Sequence, residues 1–353
     1  MIHQRHLTFW IVTLVVFAFL LWLLSDILLP FVAGLALAYL QTPLADRMER
    51  LGMNRTLAAL LIVGFVVLTF ILLALLLVPI LAEQAAALIG GIPSYVARLQ
   101  ALLSDPGPPW LRQLLNGGDA GKTMSQVMTQ GAGYMTTLMQ SVWAGGKAIA
   151  SFISVLVIMP VVTFYLICDW HKMVAILDGW VPPQNRETVH KLVGEIDAAV
   201  SGFLRGQAGV CLVVGIYYAV ALSLIGLNFG LLIGLTAGVL TFMPYIGSTA
   251  GLLIAASVAL GQFWPNWILI AAVIGIFLVG QFIEGNVLGP KLVGDRVGLH
   301  PVWLIFAMFA FGYLLGFVGL LIAVPLAAAI GVLFRFGLSR YFASPFYLDE
   351  ESG

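Results

Sequence analysis

Apolar runs long enough to cross a hydrocarbon core, which takes roughly 20 residues in a helix, recur from one end of this sequence to the other. The pattern predicts spans at Leu7 to Leu24, Ile27 to Leu40 with Pro30 inside it, Leu57 to Pro79, about Ile149 to Cys168 with Pro160 inside it, Gln207 to Leu224, and Trp267 to Phe282. Two segments are long for a single crossing. Phe229 to Leu260 is cut by Pro244-Tyr245-Ile246-Gly247, and Pro301 to Leu333 by Phe311-Gly312-Tyr313 and Gly316. The runs are continuously apolar and do not alternate as barrel strands must, so helices are expected. The expected fold is an all-α polytopic membrane protein of about eight apolar segments. Two of them are broken, re-entrant helical hairpins, and an amphipathic helical arm is added to them.

The polar stretches divide the chain. Residues 1–79 hold the N-terminal spans and, at Gln41 to Arg55, a loop with Arg47, Arg50 and Arg55. Residues 80–148 read as an extramembrane amphipathic arm: Ile80 to Leu103 has helical spacing with a break at Gly90-Gly91-Ile92-Pro93, then comes the turn D-P-G-P-P-W and a Met- and Gln-rich return. Residues 149–335 form the main membrane core, including a polar helical segment at 169–206 with a V-P-P turn at Val181 to Pro183, and 336–353 are a tail. The N-terminus resembles a signal peptide in charge and apolarity, but no A-x-A-like site follows, so it is read as an uncleaved first span.

Composition agrees with this class: 61% of the 353 residues are hydrophobic and 9% charged. The formal net charge is zero and no basic block is present, which argues against nucleic acid as a partner. Cys168 and Cys211 lack metal or C-x-x-C spacing and read as buried thiols. If the two long segments enter and leave on one side, Arg5, Arg47 to Arg55, Lys172 to Arg205, Lys291, Arg296, Arg335 and Arg340 all fall inside. The outside then keeps Arg98, Arg112, Lys122 and Lys147, in keeping with the positive-inside bias, and both termini are cytoplasmic.

The candidate chemistry gathers at Gln281 to Pro301, Q-F-I-E-G-N-V-L-G-P-K-L-V-G-D-R-V-G-L-H-P. Gly285, Gly289 and Pro290 are expected to break regular helix there, as Gly312 and Gly316 are farther on. A carboxylate at Glu284 would bind a cation or proton or accept a solute hydroxyl; the plainer reading is an interfacial carboxylate paired with Lys291 or Arg296. Asn286, Gln281 and Gln207 would line a polar path or bond between helices. Pro244, Tyr245 and Gly247 would form a hairpin tip exposing carbonyls, or a kink. Lys291, Asp295 and Arg296 are either a gate of ion pairs or solvated loop charges. Asp169 and Arg205 flank the polar segment and are a candidate pair. His300 is a candidate pH sensor or a helix cap. Gly230, Gly234 and Gly238 share one helix face and imply close packing. N-G-G-D-A-G-K-T at Asn116 to Thr123 falls one residue short of a phosphate-binding loop, and no H-E-x-x-H or G-x-S-x-G is present. No enzymatic activity, cofactor or metal is expected.

Several motifs in order resemble the family of autoinducer-2 exporters and related permeases: F-Y-L-I-C-D-W at Phe164, F-L-R-G-Q at Phe203, P-Y-I-G at Pro244, E-G-N-V-L-G-P-K at Glu284, G-L-H-P at Gly298 and G-L-L-I-A-V-P-L-A-A at Gly319. The resemblance covers about Ile149 to Leu333. It implies a bacterial inner-membrane permease, oligomeric, that exports a small polar solute such as autoinducer-2; some relatives are described as sodium/proton antiporters. With no nucleotide-binding sequence, movement is expected to follow a gradient or the membrane potential. A third reading, a membrane scaffold binding partners through its arm, predicts tolerance of Glu284→Gln and failure on loss of Ile80 to Lys147.

Overall fold

The computed structural model describes residues 13, 16, 19–104, 133, 146–244, 246–293 and 300–343. All regular structure among them is helical: α1 (Ser25–Arg50), α2 (Arg55–Ser104), α3 (Gly146–Gly179), a 3-10 turn (Pro183–Asn185), α4 (Arg186–Leu224), α5 (Gly230–Leu240), α6 (Ile246–Phe263), α7 (Trp267–Ile283), a π-helix (Glu284–Val293) and α8 (Pro301–Phe342). Among the described residues, seven helices are long and apolar enough to cross a membrane, and α5 is a shorter apolar one. The chain is an all-helical, polytopic membrane protein. The expected first span lies largely outside the described residues.

Two boundaries differ from the sequence pattern. The loop expected from Gln41 is helix to Arg50, with Pro43 inside it. Ala38, Ala45, Ala59, Ile62 and Ile167 pack into one core cluster, and extending α1 is what brings Ala45 into it. The break expected at Gly90 to Pro93 is absent: α2 is one helix of 50 residues, about 75 Å at 1.5 Å per residue. Pro93 removes one helical bond, that to the carbonyl of Ile89, and the helix runs on through it.

The helices form two compact units, residues 1–67, 153–208 and 289–353 in the first and 68–152 and 209–288 in the second. In the first, α1 and α3 meet at Gly34, where a Cβ would stand 2.8 Å from Val162 Cγ1. Thr163 Oγ bridges there between the carbonyls of Gly34 at 3.0 Å and Met159 at 2.8 Å. Arg55, at the start of α2, locks the three helices: its Nε donates to the Ile167 carbonyl at 2.7 Å, and its Nη1 to Asp46 at 3.1 Å and Glu49 at 2.7 Å. Only 12% of the Arg55 side chain is exposed, so this is a mostly desolvated charge whose Nε and Nη1 are paired, while its buried Nη2 has no hydrogen-bond partner among the described residues. The polar end of α3 is tied to the start of α4 by Asp178, which contacts both Arg186, at 3.3 Å, and His190.

α8, which packs against α1, is itself a hairpin. Gly316 has φ 59° and ψ −138°, a backbone conformation open in practice to glycine alone. Gly312 lies 2.9 Å, measured from an ideal Cβ, from Leu320 Cδ2, and Gly319 abuts the Phe311 carbonyl. Residues eight apart on a continuous helix are separated by about 12 Å along its axis, so these contacts require the chain to double back at Gly316.

In the second unit α5 and α6 pack side by side through the short connection 241–245, and α6 packs on α7. Gly247 sits against the Thr241 amide with no room for a side chain. The α5 glycines abut the backbone of α4, Gly234 at Ala219 and Gly238 at Gly215, which is the close helix packing their spacing predicts. Gln84 of α2 caps α5 by accepting the Leu232 N–H at 3.1 Å. Gln262 clamps the α4–α5 turn, accepting from Asn228 N–H at 2.7 Å and donating to the Gly226 carbonyl at 2.8 Å.

Candidate functional site

Glu284 ends α7 and begins ten residues of π-helix, E-G-N-V-L-G-P-K-L-V. The sequence dictates this irregularity. Pro290 has no N–H to give to Asn286, and Gly285 and Gly289 lower the preference for α-helical backbone on either side. The backbone responds by widening its turns instead of breaking, so Gly285, Gly289 and Pro290 mark a wound but non-α segment. Such π segments are rare and are often found where function needs a side chain re-aimed.

Glu284 is half-buried, and its Oε2 is shielded with no hydrogen-bond partner among the described residues. Its electrostatic neighbours come from α4: the hydroxyl of Tyr218 and the thiol of Cys211. Tyr218 is fully buried. Its ring stacks on Phe277 of α7, with centroids 4.4 Å apart and planes 26° apart, and Gly280 leaves the space its hydroxyl end occupies. That hydroxyl also has no hydrogen-bond partner among the described residues. Tyr217, by contrast, donates to the Ile276 carbonyl at 3.2 Å and pins α4 to α7. An unsatisfied buried polar group costs about 1–3 kcal/mol, more when charged. The Glu284 Oε2 and the Tyr218 hydroxyl are two such groups, and they are electrostatic neighbours.

The other candidates are distributed. Gln281 is half-buried one turn before Glu284, and the exposed Asn286 amide donates to its own helix at Phe282 O, 3.1 Å away. Asn286 therefore does not bond between helices. Pro244 and Gly247 lie at the α5–α6 turn, while Tyr245 falls outside the described residues. Gln207 is buried on α4. Lys291 is exposed, and its proposed companions Asp295 and Arg296 lie outside the described residues. Asp169 and Arg205 are not paired with each other: Asp169 binds Lys172 at 2.8 Å, and Arg205 donates to the Tyr39 carbonyl at 3.5 Å. His300 caps α8, its Nδ1 accepting the Val302 N–H at 3.3 Å. Gly312 is helical and Gly316 alone makes the break.

Sequence reasoning missed Tyr218 and the neighbourhood of Cys211. A tyrosine inside an apolar run carries no motif. The available signal was its helical spacing, since Cys211 and Tyr218 stand seven residues apart and so share a face of α4.

Comparison with known proteins places this geometry in a family. The sequence model described as AI-2E family transporter matches residues 11–339. Among similar proteins, the transport-protein candidate YrrI of Bacillus subtilis (strain 168) is 27% identical over 326 residues, covering 88% of this chain and 87% of its own. YueF of the same organism, named in the same way, is 24% identical over 316 residues, with coverage of 88% and 84%. The permease candidate PerM of Escherichia coli (strain K12) is 29% identical over 312 residues, with coverage of 87% and 86%. With apolar helices from end to end and a family match across nearly its whole length, the chain belongs to the AI-2E family of transporters.

Proposed function

We propose that this protein is a gradient-driven permease of the bacterial inner membrane that exports a small polar solute, with autoinducer-2 the first candidate. In this reading both termini are cytoplasmic, copies of the chain associate, and Glu284 is the group whose occupancy is coupled to movement. The observation that carries it is the shielded, unpartnered Oε2 of Glu284 beside the unpartnered Tyr218 hydroxyl. A carboxylate within an apolar helix is retained against a substantial desolvation penalty, and a transported species that satisfies it supplies the reason. Discontinuous or non-α backbone at such a place is the usual setting of a secondary-transport site.

The same oxygen favours a second reading, exchange of a cation such as sodium for protons, because a lone carboxylate can hold either. Proteoliposomes separate the two. Outward flux of labelled autoinducer-2 under an imposed gradient, with no proton movement on adding sodium, lithium or potassium, supports solute export. Cation-triggered proton movement, read by an internal pH dye, supports exchange. Absence of both fluxes from folded protein, with Glu284→Gln tolerated in cells and loss of 80–147 not, sinks the transport reading in favour of a scaffold.

A further inference from the structure

The first unit contains a second polar site, where α1, α3 and α4 line a half-open cavity of about 230 Å³. It has room for a small polar group. Its wall carries both signs of charge: Asp46, Asp197 and Arg205 line it, together with Tyr39, Trp170 and His171. Asp46 is already paired with Arg55 at 3.1 Å. The charges left to face the cavity are one carboxylate and one guanidinium. Asp197 and Arg205 stand eight residues apart on α4, about 12 Å along the axis, so they are separate poles.

Both poles are exposed, and each has a neighbour at Tyr39 of α1. Arg205 donates to the Tyr39 carbonyl at 3.5 Å. That carbonyl has no helical partner because Pro43, four residues farther along α1, lacks an N–H. The Asp197 carboxylate lies beside the Tyr39 hydroxyl. Trp170 sets its ring edge-on to Tyr39, with centroids 5.5 Å apart and planes 72° apart. Trp170 and His171 follow directly on the apolar run of α3, where Asp169 and Lys172 begin its polar end. Tyrosine and tryptophan at such a transition are characteristic of the headgroup level of a bilayer.

We propose that this cavity binds a zwitterionic phosphoethanolamine group, its ammonium at Asp197 and its phosphate at Arg205. The group is carried either by a lipid or by a free phosphoethanolamine ester. A net anion is disfavoured by the Asp197 carboxylate that faces the cavity. A choline group cannot donate hydrogen bonds to Asp197. The site is separate from Glu284, so this proposal stands or falls independently of the transport reading.

The test is native mass spectrometry of the purified full-length protein with phosphatidylethanolamine, phosphatidylglycerol and phosphatidylcholine at equal concentrations. Phosphatidylethanolamine adducts should exceed the other two by about tenfold, the value of one charge-assisted contact. Arg205→Gln and Asp197→Asn should each erase that preference, while Lys172→Gln, whose partner Asp169 lies outside the cavity, should keep it. Displacement of the lipid by glycerophosphoethanolamine would identify the free ester as an occupant, and failure of displacement would assign the site to the lipid. Equal binding of the three lipids by the wild type overturns the proposal without recourse to any variant. So does a preference that survives in both cavity variants.

Discussion

The two helical hairpins reverse direction by different chemistry. Between α5 and α6 the described residues of the connection, 241–244, have no positive φ. What that hairpin needs is space: Gly247 lies flush against the Thr241 amide. In α8 the reversal falls on Gly316, at φ 59° and ψ −138°, with nothing within 4 Å of where its side chain would be. There the glycine is needed for its backbone freedom alone. A glycine in a broken membrane helix can thus answer to two separate demands, and only the structure tells which.

That contrast can be broken by substitution. The largest effect is expected for Gly247→Ala and Gly319→Ala, whose new methyl groups meet backbone atoms that cannot swing aside. Each should lose about 3 kcal/mol or more of stability, the upper end of overpacking costs, visible as loss of monodisperse protein in size-exclusion profiles. Next is Gly316→Ala, which meets no atom yet should cost about 1–3 kcal/mol in backbone strain, read as a lowered thermal midpoint. Gly312→Ala should cost under about 1 kcal/mol, because the obstacle is the movable end of Leu320 at 2.9 Å. If Gly316→Ala proves milder than Gly312→Ala, the assignment of the α8 reversal to backbone conformation is wrong. Smallest is Gly64→Ala on α2, with nothing within 4 Å, which should be neutral or slightly stabilising through helix propensity.

Much of this organisation was legible in the sequence because it is written in hydrophobicity and in glycine and proline. The apolar runs mark the spans, P-Y-I-G marks the first reversal, and Gly312 to Gly316 brackets the second. Where the sequence misled, local rules yielded to tertiary partners. Pro43 and Pro93 were expected to lie outside regular helix, yet α1 continues to complete the Ala38–Ala45–Ile167 core, and α2 runs on through Pro93. Arg55 read as one topology-setting charge among several, and the structure gives it three bonds that fasten α1, α2 and α3. Glu284 stood out as a carboxylate in a non-α stretch. Its neighbour Tyr218 did not, because their proximity depends on α4 and α7 packing through Phe277 and Gly280, a relation no local spacing encodes.

The central claim is that the unpartnered carboxylate of Glu284 couples occupancy to transport. Its most direct test is flux through proteoliposomes by wild type and Glu284→Gln, run side by side on protein of matched thermal midpoint. The account predicts that the amide variant, which keeps shape and loses charge, abolishes flux of whichever solute or ion the wild type carries while leaving stability within about 1 kcal/mol. Flux retained at the wild-type rate by a folded Glu284→Gln variant would contradict it.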